Sequence, residues 1–554
     1  MYVQMPPCFF FDSSPRNFCV DAEQEMSFMI LGLTIGVIAL YFLRSFLVKA
    51  KSLAPLPPGP RPKPIIGNLW DLPSQGTRDW LHWLKHKDLY GPISSVTVFG
   101  QTIIILNEAR LAYELLEKRS AIHSSRPPCT FAHMAGWGDI TTVLEYSDRL
   151  RASRKVAHQQ IGSNKSIARF SHIQDAEVCR YLSRVLRDPE NWLEHIKKET
   201  GAVILKITYG YTIEPHARDH LVDLANDAVE KFSLSMIPGA WLVDSIPILK
   251  HLPSWAPGGG CTRAAEGIQT IAKDLGEVPY AFTTQQMAQG CNEPSIISYY
   301  LKSENIQPGS EEEHIVKWAT ATLYAGGADT TVSTMMGFFM TMALYPHVQR
   351  KAQEEIDRVI GTSRLPGFKD REDIPYIDAV LKEALRWHPV VPMGVAHMAM
   401  EDDMLEGYHI PKGATILTNI WAFTHDPNEY HDPMTFKPER FLSDNGHTPE
   451  RDPHLISFGF GRRICPGRNL ADSNLWLTIA RTLAVFNITK PIRDGKEVDI
   501  QPEFQASLIS HPKPFEVDIK PRSASHEELI RAGEKQHPWE KSHAEELRRA
   551  IAVP

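Results

Sequence analysis

The chain has 554 residues, 43% of them hydrophobic and 23% charged, the balance of a globular protein with a large core. Its formal net charge of -7 supplies no basic field for a nucleic-acid backbone, so no nucleic-acid partner is expected. Seven cysteines are scattered without a CxxC pair, which argues against a zinc site or disulfide framework and for a reducing compartment around the main body.

Residues 1–25 carry no motif and read as an N-terminal extension. From Met26 to Leu43 there is no charged residue, and beyond Arg44 the apolar pattern resumes as Phe46-Leu47-Val48. Residues 26–48 thus reach the roughly 20 residues a bilayer span requires. A cleaved signal peptide fits less well, because the stretch is long, begins inside the chain and lacks a small-residue cleavage site. Arg44, Lys49 and Lys51 follow it and Asp21, Glu23 and Glu25 precede it, an asymmetry that places the bulk of the chain in the cytosol behind a single-pass transmembrane helix. Residues 49–64, rich in proline from Pro55 to Pro64, read as a stiff extended segment, either an ordinary linker or a hinge.

Residues 65–521 are expected to form one catalytic domain, mainly α with small β-sheets. Two β-rich runs, Ile93 to Phe99 and Thr102 to Leu106, flank Gly100-Gln101 and predict a hairpin. From about Asn107 to about Tyr345 the apolar spacing is helical, and from Val390 short strands and turns dominate. The spacing predicts one long helix from about Glu311 to Leu344. Its middle, Ala325-Gly326-Gly327-Ala328-Asp329-Thr330-Thr331, is unusual, since each glycine costs about 1 kcal/mol against alanine in a helix. Either close helix packing or a loosened ladder that frees a carbonyl or admits water accounts for it. Further on, Glu383 and Arg386 share one helix face, and Phe436-Lys437-Pro438-Glu439-Arg440-Phe441 supplies a second arginine.

The most specific segment is Phe458-Gly459-Phe460-Gly461-Arg462-Arg463-Ile464-Cys465-Pro466-Gly467-Arg468. Gly459 and Gly461 permit positive φ and close approach of backbone to a flat ligand. A buried helix follows from Asn469, so Cys465 lies at a helix N-terminus, where unpaired N–H groups favour the thiolate. Arg463 adds a cation suited to a ligand carboxylate. Thiolate, donors, clearance and cation together describe an axial haem-iron site. The charged tail, residues 522–554, reads as a peripheral helix.

Phe458, Gly461, Arg463, Cys465 and Gly467 fill Phe-x-x-Gly-x-Arg-x-Cys-x-Gly, and the chain resembles the cytochrome P-450 superfamily from about Pro57 to Arg522, most closely its fungal microsomal enzymes of secondary metabolism. The resemblance implies haem b with Cys465 as axial thiolate, and Phe458, Gly461 and Gly467 in its binding loop. Thr330 would hold reduced dioxygen at the iron while Asp329 relays protons through water, an acid–alcohol pair suited to a buried site. Glu383, Arg386 and Arg440 would form a buried structural triad. Arg463, His397 and Arg154 are the implied propionate partners, although Leu150 stands where the family's Trp-x-x-x-Arg has tryptophan and Arg149, Arg151 and Lys155 equally suit a solvated basic face. Pocket contacts are implied from Cys129 to Trp137, Phe232 to Trp241, Val391 to Met393 and Ser507 to Ile509.

The implied protein is a monooxygenase of the endoplasmic reticulum membrane that oxidises a lipophilic small molecule. Electrons would come from an NADPH-cytochrome reductase, with cytochrome b5 as a further donor, docked near Arg462 and Arg468. A haem-thiolate isomerase or dehydratase working without O2 and a non-enzymatic haem-binding protein are the alternatives.

Overall fold

A computed structural model describes Gly32, Gly36 and residues 54–552, apart from 75, 238, 257, 304–305, 444–445 and 447. The expected span at 26–48 lies outside the described residues except for its two glycines, both helical. Among the described residues no helix is long and apolar enough to cross a membrane. Two units are distinguished, Met1–Leu56 with Met404–His409, and Pro57–Asp403 with Ile410–Pro554. In the first, the His409 N–H donates to the Pro55 carbonyl at 2.8 Å.

The long helix spans Glu311–Leu344, with the Ser310 hydroxyl capping the Glu313 N–H at 3.2 Å and three glutamates in its first turn, favourable at the positive end of the dipole. It runs through two apolar cores. Its first half, through Ala328, packs with helices Trp192–Tyr209, His220–Ser235 and Gly260–Ala288. From Val332 onward it packs with Ser171–Arg187, Pro375–Trp387 and Arg468–Val485. Asp329 and Thr330 therefore fall at the seam between the cores.

The predicted hairpin is present as Ile93–Val98 and Gln101–Leu106, with Val98 opposite Gln101. Its turn is Phe99-Gly100, one residue earlier than the sequence suggests, and both have positive φ, 47° and 83°, as a two-residue turn matched to strand twist requires. The second strand pairs in parallel with Thr415–Thr418, which pairs antiparallel with His397–Met398. This sheet carries His397 inward. From Pro57 the proline-rich segment lies along the hairpin rather than standing free. The Ser95 N–H donates to the Pro58 carbonyl at 2.9 Å, and a Cβ on Gly59 would meet the Ser95 carbonyl at 1.9 Å.

The tail departs from the expected peripheral helix. It forms two helices, Ala524–Gln536 and Ala544–Ala552. Ile530 buries in one core and Leu547 in the other, and Glu540 between them pairs with Arg180 at 2.9 Å and Lys206 at 2.8 Å.

Candidate functional site

The cysteine loop folds back on itself, with the Cys465 N–H donating to the Phe458 carbonyl at 2.8 Å. Its helix begins at Arg468 with Gly467 as N-cap, and Pro466 lies just outside it. The two earlier glycines both have positive φ, 78° at Gly459 and 54° at Gly461, but their surroundings differ. A Cβ on Gly459 would meet nothing within 4 Å, whereas one on Gly461 would strike the Leu116 carbonyl at 2.0 Å. Gly459 gives clearance; Gly461 serves close backbone packing, fastened by its N–H to Glu117 at 2.6 Å.

Helix position alone favours a thiolate, but desolvation at Cys465 works against it. Burial pushes its thiol above the ordinary range, against the lowering effect of the Gly467 and Arg468 N–H donors and the charges of Arg154 and Arg468. Dipole and donors are outweighed by desolvation. A metal cation on the sulfur reverses that balance, because a coordinating thiol is deprotonated outright.

Three arginines and a histidine converge nearby. Arg154, on helix Asp148–Ile161, donates to the Ile464 carbonyl at 2.8 Å, next to the cysteine. It therefore leaves the basic face, on which Arg149 pairs with Asp139 at 2.8 Å and Lys155 is exposed. Leu150 is fully buried. Arg463 donates to the carbonyls of Ser124 at 2.7 Å, Thr141 at 3.3 Å and Leu144. Burial and the neighbouring Arg154 lower its pKa to about 10. Arg126, which the sequence reading missed, donates to the carbonyls of Thr142 at 3.2 Å, Val395 at 2.8 Å and Ala396 at 2.7 Å. Burial, followed by Arg463 and Arg154, holds it well below its ordinary value. His397 enters this group as a neutral ring, because burial and then Arg126 hold its pKa well down. Its Nδ1–H donates to the His123 carbonyl at 2.8 Å. Among the described residues, none of these three arginines forms an ion pair with a carboxylate.

In the long helix the two glycines divide the two explanations between them. A Cβ on Gly327 would meet Ile204 at 2.9 Å, so this glycine serves close packing. One on Gly326 would meet nothing within 4 Å. The helix is unbroken, and the Ala328 carbonyl accepts an additional bond from the Thr200 hydroxyl at 3.0 Å. Thr330 Oγ1 donates to the Gly326 carbonyl at 2.7 Å. Asp329 is buried with Oδ1 3.0 Å from Nε2 of His511, a partner also absent from the sequence reading.

Of the segments expected to touch a substrate, Phe131 and Trp137 are wholly buried. Phe131 stacks on Trp241 at 3.5 Å, and Trp137 meets Phe232 edge-on at 5.6 Å. A cavity beside them is lined by Cys129, Met236, Val143 and Val395, with Arg126 at its edge. Beneath the loop, Glu383 binds Arg386 at 2.7 Å and Arg440 at 3.2 Å, all three essentially without exposure.

The family model described as cytochrome P450 matches residues 57–519. The chain belongs to that family. It is 52% identical to cytochrome P450 monooxygenase ppsD of Aspergillus oryzae, over 94% of this chain and 99% of the relative. It is 47% identical to cytochrome P450 monooxygenase claR of Ampulloclitocybe clavipes, over 91% and 92%. Against O-methylsterigmatocystin oxidoreductase of Aspergillus flavus the identity is 44%, over 93% and 97%. This P450 is therefore a monooxygenase of a family whose members use a haem-thiolate iron.

The residues fit such a group. A flat dianionic macrocycle needs a thiolate donor, clearance at the loop and cations lacking a protein carboxylate, which Cys465, Gly459 and the three arginines would provide. Arg126→Lys keeps the charge but loses the planar fork. Haem transfer from this variant to an acceptor globin is expected to be about tenfold faster, as for loss of a charge-assisted hydrogen bond.

Proposed function

We propose that this P450 is a membrane-anchored enzyme that inserts one atom of O2 into a lipophilic small molecule of fungal secondary metabolism, with electrons delivered from NADPH by a separate reductase. Bound haem supplies the oxygen-activating chemistry. The chain's residues supply the rest. Cys465 would supply the thiolate, Arg126, Arg154 and Arg463 would hold the propionates, and Asp329 and Thr330 would deliver protons.

The observation that carries this reading is the placing of a buried acid and a neighbouring alcohol at the seam of the two cores, with Gly326 open beside Thr330. Isomerisation without O2 needs no proton delivery of this kind. His511 is assigned the task of orienting the Asp329 carboxyl and passing protons to it. His511→Leu removes that contact, and the hydrogen peroxide released per NADPH consumed is expected to rise severalfold at unchanged haem content. An unchanged ratio contradicts the role.

Membrane attachment rests on the sequence of residues 26–48 and on exposed apolar side chains of the main unit. Trp70 is 71% exposed, Ile248 71% and Trp255 81%. A Cβ on Gly239 would lie 3.5 Å from Leu72, so the stretch that holds Trp70 adjoins the loop at Gly239. A surface of this kind suits a lipid boundary on the cytosolic face of the endoplasmic reticulum. The experiment for the whole reading is reconstitution with a reductase under isotopically labelled O2. Incorporation of one labelled oxygen per product, strictly dependent on NADPH, is expected. Product formation without NADPH supports the isomerase reading instead.

A further inference from the structure

Six charged side chains from four segments close into a ring beside the cysteine loop. Lys382 lies 3.2 Å from Asp378 and 3.3 Å from Asp452. Asp452 accepts from Nδ1 of His454 at 2.7 Å, and Asp472 accepts from Nε2 of the same ring at 2.9 Å. Arg371 binds Asp472 at 2.5 and 3.0 Å and Asp378 at 2.6 and 3.1 Å, which completes the circuit. Cations and carboxylates alternate all the way round. Lys382 and Asp378 belong to the helix that carries Glu383 and Arg386, and Arg371 to the short 3-10 helix before it. Asp472 is on the cysteine helix. Asp452 and His454 lie just ahead of the cysteine loop, and the His454 ring stacks on Phe458 with centroids 5.9 Å apart and planes at 22°.

Both nitrogens of His454 face carboxylates, and a carboxylate only accepts, so both must carry protons. We propose that His454 is a positioning residue of the cysteine loop: as an imidazolium it closes the ring and fixes Phe458, whose carbonyl receives the Cys465 N–H. The ring joins the two helices that frame the loop, and His454 is its one member that changes charge near neutral pH. The inference rests on the haem-thiolate reading for its consequence, though not for its geometry.

Burial alone would lower the pKa of His454, but the bonds and charges of Asp452 and Asp472 outweigh it and raise the value from 6.5 to about 9. The same contacts hold Asp452 and Asp472 below the carboxylate range despite their burial. The charged groups facing the imidazole are these two carboxylates, with Lys382 and Arg371 behind them. A folded value above the unfolded one means that the contribution is complete below about pH 6.5 and is lost as pH rises through about 9.

The test uses the full haem-loaded chain. In the native protein, the fraction of the ferrous carbon monoxide complex with a thiolate-type Soret band is expected to fall between neutral pH and about pH 10. His454→Arg keeps a cation before both carboxylates and holds that fraction constant. His454→Gln shows at neutral pH a thiol-type fraction about threefold above the native one, as expected when a charge-assisted bond of the ring is lost. Identical pH profiles for native protein and His454→Arg, or a native-like His454→Gln, overturn the assignment. Failure of the haem-thiolate reading shows separately, as absence of the thiolate band from the native protein at every pH. Thermal unfolding then decides on the ring, since the native protein loses stability over this range and His454→Arg does not. Equal slopes contradict it.

Discussion

Cys465→Ser is expected to abolish NADPH-dependent turnover, by about a thousandfold or more, while leaving the fold in place. The loop does not depend on the sulfur for its shape. Its closure is the Cys465 N–H to the Phe458 carbonyl, and its turns are set by Gly459 and Gly461, all of which serine preserves. A serine hydroxyl accepts the Gly467 and Arg468 donors as well as sulfur does, but it is a far weaker iron ligand. Loss of activity with an unchanged unfolding midpoint assigns Cys465 to chemistry; parallel loss of both assigns it to structure.

Glu383→Ala is expected to be the most destabilising single change, by about 3–5 kcal/mol, the cost of leaving a buried charge without its partner. Arg386 would lose its carboxylate in a region essentially without exposure, and Arg440 would lose one of its two, keeping Glu450 at 2.6 Å. The Lys437 N–H would lose its acceptor as well. That cost is a large part of the total stability of a domain, so little folded haem protein should accumulate. Glu383→Gln keeps the shape and one acceptor and should retain more. Chemical denaturation and the yield of carbon-monoxide-binding protein check both variants. Wild-type stability of Glu383→Ala would remove the triad from the account.

The contrast between these residues and the rest shows what a sequence carries. Cys465 and its loop were legible because the constraint is local: glycines, sulfur and the helix start lie within a few residues. The long helix was legible end to end because its apolar spacing and acidic first turn are continuous. Arg126 was not, since nothing in its neighbourhood in the chain marks it; only the fold brings it to Arg154 and Arg463. His511 and the ring around His454 were hidden for the same reason, as ion pairs between distant segments have no period. The two glycines could not be told apart in the sequence because Ile204, which decides the role of Gly327, is a tertiary neighbour. At Cys465 burial opposes the helix dipole and at His397 it favours the neutral ring, and only the fold shows how far each side chain is desolvated.

Whether Cys465 holds haem iron as a thiolate is tested most directly by the difference spectrum of the reduced, full-length protein with carbon monoxide at neutral pH. A thiolate-type Soret band that disappears in Cys465→Ser is the predicted result. A native spectrum with only a thiol- or histidine-type band, or with no bound haem, contradicts it.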